Sequence, residues 1–539
     1  SEAHYVMLPT QGNIYSLAIL NLSSGINKFI VASLKKKIFL LEYSETSEGA
    51  LKPNVKEISF SYIPSGAEII GVDAFNKSDT YDDFQIGLVT AKGNTDGSCE
   101  TYLNIYSEQD IDNNNKLNID NIAQNCSMVE LSFIPYHLTH TYLLHHVDGS
   151  DSKEIVWLLS GSDYKIHLFI EDRQNHSYTE TDVTELFPEL TVLPSCGLWI
   201  DIRYSKNFTR RVSVVGCECG TVQLSLVDAE TNTVIFNQFS ILDGPITQVK
   251  LFSLTAEDIH LPGFLKSSGF EGESCSPDGL KNGSFIPDAL KNRSCSPDAL
   301  KNNLHLVACN ALAPTVVFMN VEKQGFLERH ELDESDHYDV NLSACVADID
   351  FDGRHEILLG TYGKKVLMYS WSGQKWELTG QRNTANSVQS VHYIDVTNDG
   401  VNELIIQTPS GVHILQHQQG EVNKVFISRL KNDEGTEISS LIEVLVEDTS
   451  LVENFSVDMP KESSPDRVVT RLSPQTGGEV YKSPPTIVRD LTLETSVVSE
   501  PLPDTIEVQN PLSDSDISQK PMSEIEDYPC EEAFEQTEN

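Results

Sequence analysis

Two short runs of oxygen-bearing side chains are the part of this sequence best suited to chemistry. The first run has acids at Asp348, Asp350, Asp352 and Glu356. The second lies 47 residues later and keeps the same frame, with Asp395, Thr397, Asp399 and Glu403. In both runs a glycine follows the third of these residues, Gly353 and Gly400. Alternating oxygen ligands, a glycine that permits a sharp bend and a later acid suit a hard cation such as Ca²⁺.

The segments on both sides of these runs are β-rich, whereas an EF-hand has flanking helices and its last glutamate at position 12. An Asp-x-Asp-x-Asp-Gly-x-x-Glu frame between strands resembles the cation loop of integrin-type FG-GAP propeller blades. Two interpretations stay open, because Asp-Gly pairs also make well-formed turns in which the carboxylates accept backbone N–H bonds. Thr397 removes one carboxylate from the second run, so the first loop is expected to favour Ca²⁺ more than the second. In either loop the ion would brace a blade and would not be catalytic.

The two runs belong to a strand-turn-strand unit that recurs seven times before about residue 430. Its central β-rich stretches are spaced by 47–94 residues and begin at Phe29, Gln85, Glu154, Arg211, His305, Glu356 and Glu403. A second set of strands follows them, beginning at Ile38, Tyr102, Ile166, Val222, Val316, Val366 and Val412. Short strands that repeat about every fifty residues favour a β-propeller over tandem β-sandwiches, which do not need the same unit each time. We predict an all-β, seven-bladed β-propeller with FG-GAP-like blades over residues 1–430.

Two segments are predicted to be disordered. Residues 274–303 contain three copies of a ten-residue unit, and we interpret about 257–303 as a surface-loop insertion within the propeller. Residues 431–539 contain 25 acidic and 7 basic residues, with many Ser, Thr and Pro. Such a segment buries too little apolar surface to offset its chain entropy, so we predict a disordered acidic tail.

Composition and motifs exclude several classes of function. A formal charge of −42 opposes binding of nucleic acid, and no apolar stretch approaches the roughly 18 residues that a membrane span needs. The sequence has no GxSxG elbow, HExxH helix or P-loop, so we predict that the protein is not an enzyme and requires no cofactor. Cys217 and Cys219 are interpreted as a buried apolar pair on one strand face, with a metal or redox role as the alternative. The basic triplet 35–37 is interpreted as a solvated hairpin turn, with F-actin docking as the alternative.

A more specific resemblance lies in strings that are not general propeller signatures. They are residues 60–64, 73–78, 103–106, 120–124, 186–190, 243–246 and 411–417. Through these strings, in order over roughly residues 8–430, the chain resembles the kaptin family.

The resemblance implies a non-enzymatic scaffold subunit of a KICSTOR-like complex. Its partners would be a second FG-GAP propeller protein, a very large scaffold subunit and the first GATOR complex. It would recruit that complex to lysosomes and restrain TOR complex 1 when amino acids or glucose are scarce. The resemblance further implies a cytoplasmic protein that reaches the lysosomal membrane through its partners, without inserting into it. The family's alternative role is association with F-actin in lamellipodia and stereocilia.

Overall fold

The computed structural model describes most of the chain up to residue 418. The described residues are 2–418 without 46–50, 79–80, 108–117, 148–149, 173, 176, 206–207 and 256–302, together with 420, 422 and 469–470. The predicted insertion and tail lie almost entirely outside the described residues, and their disorder stays a prediction.

The described chain folds into seven antiparallel sheets, each a meander of neighbouring strands. The first blade contains β2 (Leu17–Asn21), β3 (Asn27–Ala32), β4 (Ile38–Glu45) and β5 (Leu51–Ile58). The second contains β6 (Glu68–Asn76), β7 (Phe84–Gly93), β8 (Cys99–Ser107) and β9 (Cys126–Leu131). The third contains β10 (Pro135–Val147), β11 (Ser150–Gly161), β12 (Ile166–Asp172) and β13 (Ser177–Thr181).

The next three blades repeat this order. The fourth blade contains β14 (Gly197–Ser205), β15 (Arg210–Cys217), β16 (Thr221–Asp228) and β17 (Thr233–Ile241). The fifth contains β18 (Ile246–Phe252), β19 (His305–Asn310), β20 (Val316–Phe318) and β21 (Arg329–Glu331). The sixth contains β22 (Asn341–Ala347), β23 (Glu356–Thr361), β24 (Lys365–Trp371) and β25 (Trp376–Asn383).

The seventh blade joins the two ends of the propeller. Its strands are β26 (Ser390–Ile394), β27 (Glu403–Thr408), β28 (Gly411–Leu415) and the N-terminal β1 (Glu2–Met7), which pairs antiparallel with β28. Val6 is fully buried and packs in one cluster with Phe29 of the first blade and Val412 of the seventh. This contact closes the ring. A two-residue strand from the tail region, β29 (Val469–Thr470), pairs parallel with β1.

The burial pattern follows from the stacking of blades around an axis. The second strands are covered on both faces by neighbouring blades, so β19 and β23 are buried at every residue. The innermost strands of all seven blades line a central channel of about 630 Å³. The fourth strands of the first, fourth and sixth blades are largely exposed.

Helices are short and few in the described residues. They are α1 (Ile119–Ile122), α2 (Val321–Gln324) and a 3₁₀ turn (Pro188–Leu190), and residues 420 and 422 are also helical. None of the described helices has the length and apolar character needed to cross a membrane.

The predicted seven-bladed β-propeller is confirmed, and each central stretch forms the second strand of its blade while the following set forms the third. One local expectation was wrong. Strand β15 ends at Cys217, so only Cys217 is buried, whereas Cys219 is exposed in the next turn. The two thiols therefore do not share a buried strand face.

Candidate functional site

The two predicted cation loops occupy the same place in adjacent blades. The first connects β22 to β23, and the second connects β26 to β27. Phe351 and Asn398, at the fourth loop position, both have a φ of 59°. Gly353 and Gly400, two positions later, both have a φ of 84°, in the left-handed region where a Cβ is strained. The two sequences therefore fold into the same turn.

The first acid of each loop holds this turn closed. The Gly353 N–H donates to Asp348 Oδ2 at 2.9 Å, and the Gly400 N–H donates to Asp395 Oδ2 at 2.9 Å. The last acid of each loop fixes the entry to the loop. The Ile349 N–H donates to a Glu356 oxygen at 2.8 Å, and the equivalent Val396 N–H donates to Glu403 at 2.9 Å.

The first loop brings three carboxylates together. One oxygen from each of Asp348, Asp350 and Glu356 lies within 4.8 Å of the others. Within the described part of the chain this is the one group of three such side chains close enough to share an ion. Burial, with further contributions from the neighbouring aspartates, raises the pKa of Glu356 to about 7. A carboxylate-rich, oxygen-only donor set of this kind fits Ca²⁺.

Asp352, the remaining predicted ligand of the first loop, lies outside this group. Its Oδ2 accepts hydrogen bonds from Arg354 Nη2 at 2.9 Å and Arg354 Nε at 3.1 Å. Its other oxygen accepts the Arg354 backbone N–H at 2.8 Å. The side chain thus stabilises the turn and an ion pair, and its role as a metal ligand stays a prediction.

The second loop satisfies its glutamate internally. The Thr397 hydroxyl, at the position of Asp350, donates to Glu403 Oε1 at 2.9 Å. Asp399 accepts the Val401 N–H at 2.8 Å. Burial raises the pKa of Glu403 to about 7, while hydrogen bonds from Val396 and Thr397 oppose this rise. With one carboxylate fewer, this loop offers a cation less charge than the first.

Each loop also contacts a neighbouring blade. In the first loop, the His355 N–H donates to Leu254 O at 2.8 Å, and His355 Nδ1 lies 2.8 Å from Ser253 O of the fifth blade. In the second, the carbonyl of Asp395 accepts a hydrogen bond from Asn27 of the first blade at 2.7 Å. The loops therefore link blades as well as strands.

The central channel is lined by ionisable groups that sequence reasoning did not single out. His140 Nδ1 lies 2.6 Å from Asp73 Oδ2, and this carboxylate raises the histidine pKa although burial opposes the charged form. His137 Nδ1 accepts the Ile200 N–H at 3.0 Å and stacks on Trp199. These groups come from different blades, so no spacing in the sequence could reveal that they meet. The contacts hold adjacent inner strands together.

The basic triplet forms the predicted turn between β3 and β4. Lys36 Nζ donates to Ile63 O at 3.1 Å, and Lys37 Nζ forms an ion pair with Glu57 at 3.1 Å. Two of the three ammonium groups are thus already engaged by neighbouring parts of the propeller.

A family model described as "KICSTOR complex protein kaptin" matches residues 1–427. The chain belongs to the kaptin family. The matched range contains all seven blades and both candidate cation loops. The mouse KICSTOR complex protein kaptin is 31% identical over 436 residues, which cover 80% of this chain and 91% of the mouse protein.

Two solved structures show lower similarity. Sqt1 of Saccharomyces cerevisiae matches with a TM-score of 0.42 and 10% identity, covering 77% of this chain and 97% of Sqt1. The Dos1 propeller matches with a TM-score of 0.41 and 7% identity, covering 77% of this chain and 94% of that structure. The assignment of this kaptin-family chain as a propeller rests on its own strand pairing.

Proposed function

We propose that this kaptin-family protein is a non-enzymatic docking subunit of a KICSTOR complex. The observation that carries the proposal is the family match over residues 1–427, which spans the whole ring of seven blades. Because the match spans the whole fold, the assembly named for the relatives is the first one to test.

The fold suits docking for a physical reason. The central strands are buried on both faces and the ends of the ring are joined through β1 and β28, so the body is rigid. A rigid body loses little conformational entropy when it binds, so more of the contact energy remains as affinity. Loops at both ends of the channel and the outer strands provide separate surfaces for several partners.

The channel supports a structural role for its ionisable groups. His140 is paired with Asp73, His137 accepts a backbone N–H, and Asp201 accepts the Leu251 N–H at 2.6 Å. These contacts join neighbouring inner strands of the ring. The proposal that the protein is not an enzyme rests on its membership of the kaptin family.

In its finer form, the proposal places the protein beside a second FG-GAP propeller protein and a very large scaffold subunit. The assembly would recruit the first GATOR complex to lysosomes and restrain TOR complex 1 when amino acids or glucose are scarce. The protein would be cytoplasmic and would reach the lysosomal membrane through these partners.

Affinity purification of the tagged full-length chain from nutrient-starved cells tests this proposal. Mass spectrometry should recover the other KICSTOR subunits with the parent chain. Recovery should fall with Val6→Asp, which places a charge in the buried contact between the first and seventh blades. Absence of every KICSTOR subunit from the parent sample would contradict the proposal.

Direct F-actin docking through residues 35–37 is the alternative, and the engagement of Lys36 and Lys37 does not favour it. Changing all three lysines to alanine should leave co-sedimentation with F-actin unchanged. A loss of co-sedimentation in a folded triple variant would support the actin alternative.

We also propose that the first loop holds Ca²⁺ through Asp348, Asp350 and Glu356. The support is the convergence of their oxygens within 4.8 Å. The ion would neutralise the mutual repulsion of these carboxylates and so brace the contact between the fifth and sixth blades, without a catalytic role.

A further inference from the structure

The outer strand of the fourth blade, β17, differs from the outer strands of the other blades. Edge strands of soluble proteins usually carry charged side chains, which prevent unwanted pairing with other chains. Five of the other outer strands each have at least one: Lys52 in β5, Glu130 in β9, Glu180 in β13, Arg329 in β21 and Glu377 in β25. In the seventh blade, β1 is covered on its outer side by β29. Strand β17 has none in nine residues.

Strand β17 is also unusually apolar at the surface. Four of its side chains are 36–77% exposed, and we call them the β17 strip: Val234, Ile235, Phe239 and Ile241. The chain has 80 acidic and 38 basic residues. The absence of charge from this exposed strand is therefore not explained by a shortage of charged residues. Exposed apolar side chains that lie together on one strand are a common feature of protein interaction sites.

A groove lies directly beside the strip. It has a volume of about 280 Å³ and is lined on one side by Asn237 and Phe239 and on the other by Pro188, Val192 and Pro194. Val192 is itself 74% exposed. The volume is close to the lower end of the roughly 300–1,000 Å³ of small-molecule pockets, so the groove has room for at least one apolar side chain.

The floor of this groove is held rigidly. Glu189, in the 3₁₀ turn, is fully buried and accepts hydrogen bonds from Arg211 Nε at 2.8 Å and Arg211 Nη2 at 3.0 Å. The Ser213 hydroxyl donates to the same carboxylate at 2.8 Å. The groove is therefore formed before any partner arrives.

The main chain of β17 is available on its outer side. The strand is the last in the sheet order β14-β15-β16-β17, and no further strand pairs with it in the described residues. An extended segment can add to such an edge, gaining affinity from main-chain hydrogen bonds and specificity from alternate side chains.

Charge identifies the kind of segment that fits. Exposed acids lie just before and just after the strand, at Glu230 and Asp243, and Asp228 pairs with Thr233 at its start. A second copy of this chain would bring another formal charge of −42, and residues 431–539 are also acidic, with 25 acidic and 7 basic residues. A partner with basic residues flanking an apolar strand is the complementary occupant.

We propose that β17 accepts a strand from a partner protein as the fifth strand of the fourth blade. That segment alternates apolar and small polar side chains and carries lysine or arginine at its ends. One apolar side chain enters the groove beside Phe239. This inference deepens the proposed docking role and rests on it.

Fluorescence anisotropy with the full-length chain provides the test. The probe is a labelled nine-residue peptide of alternating valine and threonine with a lysine at each end. One control peptide has proline in place of a central valine and of the threonine next to it, which removes an N–H from each side of the strand, and another has glutamates at its ends. We expect the probe to bind at least about tenfold more tightly than either control.

Substitutions in the chain locate the binding. Phe239→Lys and Ile241→Lys should each weaken probe binding by about tenfold or more, because they charge the strip and remove its apolar contacts. Met128→Lys adds the same charge to β9, the outer strand of the second blade, at a side chain that is 51% exposed. This matched control should bind the probe as the parent does. Equal binding of probe and proline peptide, or no effect of Phe239→Lys, would overturn the inference.

Two measurements on the isolated chain distinguish other occupants. Sedimentation should show no self-association through this edge; a dimer that Ile241→Lys dissociates would assign the edge to a second copy and overturn the inference. Hydrogen exchange should be fast at the outward amides of β17. Protection of these amides in the monomeric chain would mean that its own residues cover the strand. That result would also overturn the inference.

Failure here and failure of the proposed function are separable. If KICSTOR subunits co-purify with the chain but the peptide does not bind, only the β17 inference is wrong. If the peptide binds but no KICSTOR subunit is recovered, the edge is a docking site and the assignment to that assembly is wrong.

Discussion

At the scale of single residues, burial decides which charges matter for stability. Arg211 and Glu189 form an ion pair joined by two hydrogen bonds, and their side chains are 2% and 0% exposed. The Arg211 guanidinium also lies over the ring of Phe187. The adjacent Arg210 pairs with Asp228 in a contact where both side chains are 32% exposed. Two neighbouring arginines thus provide a matched comparison of a buried and a hydrated ion pair.

We predict that Arg211→Met lowers the free energy of unfolding by about 3–5 kcal/mol, because it leaves the Glu189 carboxylate buried without its cation. Arg210→Met should cost at most about 1 kcal/mol, since water screens the exposed pair. Denaturant-induced unfolding of both variants measures the difference. Equal losses for the two substitutions would contradict the account.

The channel histidines make stability depend on pH. Burial lowers the pKa of His137 to about 4, although Asp73 and Asp201 raise it and Lys250 lowers it further. In the unfolded chain the group titrates near its ordinary value of 6.5, so the unfolded state binds the proton first as pH falls. The stability that neutral His137 supports is therefore complete above pH 6.5 and decreases as the pH falls towards 4.

We predict that His137→Gln removes part of this dependence. Between pH 7 and pH 5, the parent chain should lose about 1.5–2 kcal/mol more unfolding free energy than the variant, as one shifted histidine requires. Comparing the two chains cancels the titration of other groups, including the buried glutamates of the loops. Parallel stability curves for parent and variant would show that His137 is not buried in its neutral form.

At the scale of elements, the two loops show how one carboxylate changes a turn. They share backbone angles and the hydrogen bonds of their first and last acids. They differ where Asp350 in the first loop adds a charge and Thr397 in the second donates to Glu403. The first loop is consequently the one in which unbalanced negative charge can be relieved by a cation.

We predict that Ca²⁺ raises the thermal midpoint of the parent chain by several degrees, and that Asp350→Asn abolishes the increase. The asparagine keeps an oxygen to accept the Asp352 N–H but removes the charge. Asp399→Asn in the second loop is the matched control and should retain the increase. A parent chain whose midpoint does not respond to Ca²⁺ would refute the proposed brace.

The strands and turns were predictable because their signals are local. The seven second strands, the turns of the two candidate cation loops and the hairpin turn at 35–37 each have a short pattern of β-rich, glycine or oxygen-bearing residues. The pairing of Asp352 with Arg354 was not predictable, because either side chain could have turned to another partner. Arg211 with Glu189, and His140 with Asp73, come from separate segments that only the closed ring brings together.

At the scale of the whole molecule, the ring depends on a strand from the opposite end of the chain. β1 supplies the outer strand of the seventh blade, and Val6 packs between that blade and the first. A propeller closed in this way cannot lose β1 without exposing the core of two blades.

We predict that Val6→Asp lowers the thermal midpoint strongly, because an unpaired carboxylate is expensive to bury. Met128→Asp on the exposed outer strand β9 should change the midpoint little. Differential scanning calorimetry checks both. Similar midpoints for the two variants would mean that β1 does not close the ring.

The central claim is that this ring is a docking subunit of a KICSTOR assembly, and reconstitution tests it most directly. The purified full-length chain is mixed with the second FG-GAP propeller protein and the very large scaffold subunit, and the mixture is resolved by size-exclusion chromatography with mass measurement. We predict one co-eluting species that contains all three proteins and that the Val6→Asp chain fails to join. Separate elution of the folded parent chain from both partners would contradict the claim.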